Sequence, residues 1–208
     1  MNITKDTIAS YNEFLRSKSP SEIVAWVLEF AKSPIVTTNF GPLSASMLKL
    51  TTSVKSDIPV IWCDTGYNTS HTYLHARKLS KKLRLNLFTY VPLQTASHRN
   101  AIFGGIPNVE DPSHKVFTEQ VKLEPFRRAM KIHRPDVWFS NIRKGQTAWR
   151  DSLDILSFSK EGILKVSPFY NWSDDQLVEY LSSNNLPNEK KYFDPTKVLN
   201  NRECGLHC

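Results

Sequence analysis

Ile35-Val36-Thr37-Thr38-Asn39-Phe40-Gly41-Pro42-Leu43-Ser44 is the stretch that decides the fold. Its first four residues are β-branched and read as a short buried strand, with Pro34 marking the end of the helix before it. Asn39 to Leu43 is a turn, and a helix is expected from Ser44 to about Val54, with Met47, Leu50 and Val54 on one side. A strand that passes through a polar turn directly into a helix is the repeating piece of a parallel sheet.

The flanks repeat that alternation. Upstream, residues 21–32 read as a helix with Ser21 as N-cap and Ile23, Val24, Val27, Leu28 and Ala31 on one face. Downstream, strands are expected over Ile58–Cys63, Leu85–Val91, Val137–Ser140 and Ile163–Val166, with a helix over Ser70–Leu83. Residues 118–133 look helical, with Pro125 restarting or kinking the segment. Ser173-Asp174-Asp175-Gln176 is a capping-box pattern that opens a last helix with Leu177, Val178 and Leu181 facing inward. Residues 92–114 contain Gly104, Gly105, Pro107 and Pro112 and read as loop with at most short helix. The class is α/β, a mainly parallel sheet flanked by helices on both faces. Residues 1–187 are expected to form one α/β domain, and 188–208 an irregular C-terminal tail.

A chain of 208 residues with 40% hydrophobic and 23% charged content has the composition of a soluble globular domain. No apolar run approaches the roughly 20 residues of a membrane span. The start, Met1-Asn2-Ile3-Thr4-Lys5-Asp6, has no basic-then-apolar signal, so a cytoplasmic protein is expected. The three cysteines, Cys63, Cys204 and Cys208, do not make a disulfide framework and suit a reducing compartment. They are also too few for one chain to hold an iron–sulfur cluster by four thiolates. The net charge of +7 implies an anionic partner or a generally basic surface.

Ligands of parallel α/β sheets bind beyond the carboxyl ends of the strands. Three polar stretches fall there: Thr37 to Ser44, Asp64 to Tyr67, and Asn141 to Arg150. The first joins a strand to a helix N-terminus, where hydroxyls, free backbone N–H groups and the helix dipole favour an anion. It is neither a Walker A sequence nor the Rossmann glycine fingerprint, and it lacks the Ser-Gly-Gly-x-Asp-Ser of ATP pyrophosphatases. Asp64-Thr65-Gly66 can meet a base or ribose, or simply end a strand. Arg143 and Arg150 carry guanidinium forks that suit phosphate and sulfate, although a solvated basic loop would have the same composition. At the far end, Glu203-Cys204-Gly205-Leu206-His207-Cys208 sets a cysteine beside Arg202 and His207, where a nearby cation lowers a thiol pKa.

Together these stretches resemble the phosphoadenylyl-sulfate (PAPS) reductase family over most of the chain. The resemblance runs through Thr37 to Gly41, Asp64-Thr65-Gly66-Tyr67, Lys122-x-Glu124-Pro125, Trp138-Phe139-x-x-Ile142-Arg143 with Gln146 and Arg150, and Arg202-Glu203-Cys204-Gly205-Leu206-His207. It implies an adenine nucleotide alpha hydrolase-like (PP-loop-related) fold with a mobile C-terminal catalytic tail. It also implies that the Cys204 thiolate attacks the sulfur of PAPS, displacing adenosine 3′,5′-bisphosphate and leaving an S-sulfonate. A thioredoxin or glutaredoxin thiol then releases sulfite, in sulfate assimilation and cysteine biosynthesis. By the same resemblance, Thr37, Thr38, Asn39, Phe40, Gly41 and Ser44 line the phosphate or sulfate site. Asp64, Thr65 and Gly66 face adenosine; Lys122, Arg143, Lys144, Gln146 and Arg150 serve the anionic oxygens; Arg202 and His207 arrive with Cys204. No bound cofactor, metal or iron–sulfur cluster is implied, and homodimers occur in the family.

Four departures stand out. The paired cysteine motifs of cluster-containing adenylyl-sulfate (APS) reductases are missing, which favours PAPS, although cluster-free enzymes acting on APS belong to the same family. Lys190-Lys191-Tyr192-Phe193-Asp194-Pro195-Thr196 leads almost directly to Arg202, where typical members carry a longer insertion. Lys144-Gly145 stands where Arg-Glu is usual. Cys208 is a candidate resolving thiol for the Cys204 adduct, or a surplus terminal thiol. Cys63 is expected in the core as a small hydrophobe. The histidines show no metal-ligand spacing, and Trp138 and Trp149 are expected as packing residues that lie close enough to the basic loop to line a pocket. Other classes are a sulfur-handling component of nucleic-acid modification and a nucleotide-binding module without catalysis. Against the first, the basic residues cluster in motif loops and form no long stripe; against the second stands the intact tail.

Overall fold

The computed structural model describes residues 3–197, and the statements below concern those residues. The expectations for Arg202, Cys204, His207 and Cys208 lie outside them. The chain opens with helices α1 (Ile8–Leu15) and α2 (Pro20–Leu28). It continues through β1 (Pro34–Thr38), α3 (Ser44–Val54), β2 (Pro59–Cys63), α4 (Ser70–Leu83) and β3 (Asn86–Tyr90). Helices α5 (Ala96–Phe103) and α6 (Ser113–Thr118) follow, then a π-helical turn (Glu119–Leu123), α7 (Glu124–His133) and β4 (Val137–Phe139). Last come α8 (Ala148–Asp151), β5 (Leu156–Phe158), β6 (Leu164–Val166) and α9 (Asp174–Ser183).

The six strands form one sheet in the order β3-β2-β1-β4-β6-β5, parallel except for β5 against β6. Val36 pairs with Val60 on one side of β1 and with Phe139 on the other. Strand order therefore reverses between β1 and β4, which is where such sheets open a crevice.

Side-chain alternation divides the sheet between two unequal layers. Val36, Val60, Trp62, Val137, Phe139 and Val166 face the main core, where they meet Ile23 and Val27 of α2, Met47 and Leu48 of α3, Leu79 of α4 and Leu177 of α9. Ile35, Ile61 and Trp138 point the other way, onto Phe126, Ala129 and Met130 of α7. That second face ends next to the crevice.

Local differences from the sequence expectations have local causes. Helix α2 is capped by Ser19, not Ser21: the Ser19 hydroxyl accepts from Glu22 N–H (3.3 Å) while Ser19 N–H donates to Glu22 Oε2 (2.8 Å). Pro20 at the first helical position reinforces that start. Residues 92–114 hold more helix than foreseen, because Thr95 caps α5 by accepting from His98 N–H, and Gly104 ends it at φ +75°. Much of that helix is exposed, so no apolar period marks it. Val178 is exposed on α9, whereas Leu177 and Leu181 are buried as expected.

Strand β5 was unforeseen, as was α1 against it. Asn12 of α1 is buried and mimics a strand partner, donating from Nδ2 to Leu156 C=O (3.0 Å) and accepting from Leu156 N–H (2.7 Å). It satisfies backbone groups that an edge strand would otherwise leave open. No helix among the described residues is long and apolar enough to cross a membrane.

Candidate functional site

Beyond the carboxyl ends of β1 and β4 lies a cavity of about 390 Å³. Of the three polar stretches expected beyond the strand ends, Thr37–Ser44 and Asn141–Arg150 border it and Asp64–Tyr67 does not, while the turn carrying Lys122 joins them. Thr37, Thr38, Asn39 and Ser44 reach it from β1 and the N-terminus of α3, Lys122 from the π-turn, and Arg143, Gln146 and Arg150 from the loop after β4.

The turn after β1 is held by its own side chains. Thr38 Oγ1 accepts from Phe40 N–H (3.0 Å) and Asn39 Oδ1 from Gly41 N–H (2.9 Å). Phe40 and Leu43 both sit in the left-handed region, at φ +53° and +61°. The Leu43 N–H donates to Asn188 Oδ1 (2.9 Å). Amides expected to be free for an anion are thus engaged within the protein. Phe40 also departs from expectation: its side chain is fully buried in the main core, edge-on to Trp62 with ring centres 5.0 Å apart. Thr37 Oγ1 accepts from Trp138 Nε1 (2.9 Å), which fixes the hydroxyl at the strand end. Ser44 is 7% exposed and its Oγ has no hydrogen-bond partner among the described residues, although it borders the cavity. Asn141 Oδ1, in the same cavity, likewise has no partner among the described residues. Buried polar atoms in this condition call for a ligand or water.

Asp64, Thr65 and Gly66 lie just past β2 and outside the lining of this cavity. Asp64 Oδ1 accepts from Gly66 N–H (3.0 Å), Asn68 Nδ2 (2.8 Å) and Tyr73 OH (3.0 Å). Burial, the Asp64 charge and their shared hydrogen bond raise the Tyr73 pKa to about 12, so it stays a donor to Asp64. Gly66 at φ +79° allows the tight turn.

The basic loop is braced from several sides. Gln146 Oε1 accepts from Arg143 N–H (3.0 Å) and from Arg150 Nη1 (2.5 Å). The Arg143 guanidinium, 5% exposed as a residue, pairs through Nη2 with Asp174 at the start of α9. Burial lowers the Arg143 pKa, and the Asp174 hydrogen bond and charge oppose that; a guanidinium stays cationic under such shifts. Lys144 points to solvent, and its backbone N–H donates to Tyr170 C=O (2.9 Å). The turn carrying Lys122 is explained by Pro125, which has no N–H with which to continue an i→i−4 ladder. Lys122 is buried, pairs with Asp194, and donates to Thr196 Oγ1 (3.2 Å).

Charged contributors to the cavity that sequence reading had given no place in the site include Asp174, Asp194 and Lys197. That reading also assigned Cys63 to the core, whereas this residue is half-buried at the cavity edge. Strand alternation explains it, because Cys63 follows Ile61 onto the thinly covered face. Among the described residues no group of three or more His, Cys, Asp or Glu is arranged to hold a metal ion.

Comparison with known proteins now adds to this geometry. The family model described as the phosphoadenosine phosphosulfate reductase domain matches residues 33–195. The phosphoadenosine 5′-phosphosulfate reductase of Synechococcus sp. is 32% identical over 185 residues, covering 87% of this chain and 78% of that protein. A crystal structure of PAPS reductase from Candida auris, in a phosphate complex, superposes with a TM-score of 0.80 at 23% identity, covering 91% of both chains. FMN adenylyltransferase from Candida glabrata, solved with ATP, superposes with a TM-score of 0.57 at 12% identity over 90% of this chain and 60% of that one. These two likenesses identify the adenine nucleotide alpha hydrolase-like fold expected from the sequence. With the family model spanning most of its length and a curated relative sharing about a third of its residues, the chain belongs to the phosphoadenosine phosphosulfate reductase family.

Proposed function

We propose that this chain is an enzyme that reduces PAPS to sulfite and adenosine 3′,5′-bisphosphate at the expense of a dithiol. One observation carries the reading: Thr37, Thr38, Arg143 and Arg150, drawn from the family's motifs, converge with orphaned Ser44 Oγ on one cavity at the β1/β4 reversal. The cations there neutralise sulfate and phosphate oxygens, and the hydroxyls donate to them. Asp64 to Gly66, beyond the neighbouring strand, take the adenosine side.

In the proposed reaction the Cys204 thiolate attacks the sulfonate sulfur, forming an S–S bond as the S–O bond to the nucleotide breaks. The electron pair leaves with adenosine 3′,5′-bisphosphate. One thiol of a thioredoxin or glutaredoxin then attacks Cys204 sulfur, expelling sulfite, and its second thiol restores the Cys204 thiol as the reductant becomes a disulfide. Arg202 and His207 are assigned to thiolate stabilisation and Lys144 to long-range attraction of the anion; in the alternative route Cys208, in place of the external thiol, attacks Cys204 sulfur, expels sulfite and leaves a Cys204–Cys208 disulfide for the dithiol to reduce. The three cysteines of the sequence suit a cluster-free reaction in the reducing cytoplasm. We assign residues 1–187 to nucleotide binding and 188–208 to catalysis, in a homodimer whose mass sedimentation would read.

Intact-protein mass spectrometry after mixing reduced protein with PAPS, and separately with APS, tests this reading. An S-sulfonate on Cys204 with PAPS alone, absent from Cys204→Ser, is the expected result. Adduct with APS alone would transfer the reading to a cluster-free APS reductase, and no adduct or sulfite with either would overturn it. Sulfite release accompanied by a Cys204–Cys208 disulfide, without added reductant, is the outcome that supports resolution by Cys208.

A further inference from the structure

Residues 188–197 lie across the elements that build the cavity. Asn188 Oδ1 accepts from Leu43 N–H (2.9 Å), and Lys191 C=O accepts from Thr69 Oγ1 (3.0 Å). The Tyr192 ring packs on Gly41, where an added Cβ would meet its Cγ at 3.0 Å. Asp194 then reaches into the cavity and pairs with Lys122. Both members of that pair are buried, with side chains 8% and 7% exposed. Thr196 adds donors from N–H (3.0 Å) and Oγ1 (2.7 Å) to Asp194 Oδ1. Burial alone would raise the Asp194 pKa, but the Lys122 charge and these hydrogen bonds outweigh it and hold the carboxyl below the ordinary range.

The other charges lining the cavity are Arg143, Arg150, Lys197 and Asp174, and Asp174 is largely exposed at its rim, so Asp194 is the one buried carboxylate among these described residues. It repels the anion that those cations attract. It is also placed where a ligand's anionic group would sit to reach Lys122.

We infer that Asp194 is an internal stand-in for a ligand anion, holding Lys122 until a sulfate or phosphate group of the nucleotide replaces it and displaces segment 188–197. The inference rests on the nucleotide reading above. The exchange swaps one anion on Lys122 for another, so the buried ammonium is never left unpaired, while Asp194 moves into water. A stand-in has a cost in affinity, because only molecules with the segment displaced are competent to bind, and the apparent dissociation constant rises by that fraction. The rival arrangement is a permanent brace, in which Asp194 keeps Lys122 oriented and stays in place when ligand binds.

The test uses the Cys204→Ser chain, which keeps PAPS intact, with and without Asp194→Asn. Calorimetric titration should give binding about tenfold tighter or better when Asp194 is neutralised. Amide hydrogen exchange on the chain retaining Asp194 supplies the second readout. PAPS should accelerate exchange at Thr196 and Lys197, whose N–H groups donate to Asp194 Oδ1 and to Asp194 C=O, each at 3.0 Å. Unchanged or slower exchange establishes the brace and overturns the stand-in even if affinity rises, since removing any negative charge helps an anion. Equal or weaker binding by Asp194→Asn overturns it as well. Should that variant fail to fold, the exchange measurement decides alone. Absence of PAPS binding to the Cys204→Ser chain overturns the nucleotide reading itself, and the stand-in with it.

Discussion

Tyr192 covers Gly41 so closely that a methyl group at position 41 would stand 3.0 Å from Tyr192 Cγ and 3.2 Å from Asn39 Oδ1. The contact explains a glycine in the turn after β1 without appeal to backbone strain. Gly41→Ala should destabilise the protein by about 1–3 kcal/mol, the usual range for overpacking. Combining it with Tyr192→Ala should remove most of that loss. Urea unfolding of the four proteins in the cycle measures the coupling, and an equal penalty for Gly41→Ala in both backgrounds would disprove the packing account.

Ser44→Ala is expected to separate stability from binding. The hydroxyl is buried and has no hydrogen-bond partner among the described residues, so its removal should leave stability unchanged or slightly higher. PAPS affinity should nevertheless fall about tenfold or more, the worth of about 1.5–3 kcal/mol for a hydrogen bond to a charged group. A variant that loses stability while keeping its affinity would place Ser44 among purely structural residues.

Asn12→Ala addresses the edge of the sheet. It strips partners from both Leu156 N–H and Leu156 C=O, which are paired only 2.7 Å and 3.0 Å from the Asn12 amide. Leaving a buried polar group unsatisfied costs about 1–3 kcal/mol, so a fall of that order in unfolding free energy is predicted. Nucleotide affinity should not change, because the cavity is lined from other elements.

Acid should weaken the fold in two stages. Burial depresses the His75 pKa below 6.5, with Lys78 adding to it and Glu189 opposing, and burial alone depresses that of His133. Below 6.5 the unfolded chain takes up protons that the folded chain refuses, so stability present above 6.5 declines as pH falls toward the folded values. For Asp194, also depressed, the contribution is present above the ordinary carboxylate value of 3.8 and is lost as pH falls through the folded one. Urea midpoints at about pH 7.5 and about pH 5.5 report the first stage. Replacing both histidines with glutamine should flatten the difference, and a midpoint that drops as steeply without them would assign it elsewhere.

The parts of the site readable in advance were those whose chemistry is written in neighbouring residues. Thr37 and Thr38 end a strand and Ser44 starts a helix, so their place at a strand terminus followed from local order, as did the basic loop with Arg143 and Arg150. What went astray depended on orientation. Phe40 sits inside the polar turn after β1 yet turns its ring into the core, and Cys63 sits in an apolar strand yet reaches the cavity edge. Neither direction is recorded in residue type.

From sequence alone came the α/β class, the alternation that makes β1 to α3 a parallel unit, the family, and two of the segments whose hydroxyl and guanidinium groups line the cavity. These rest on short-range regularities, the periods of strand and helix and the order of motifs, which are complete before any segment meets another. Tertiary structure alone decided which carboxylate holds which cation. Lys122 and Asp194 are 72 positions apart and Arg143 and Asp174 31, separations that no local pattern spans. Burial sets the strength of such pairs and the meeting of distant segments sets their identity, so the charge state of the cavity emerged only when the chain was closed.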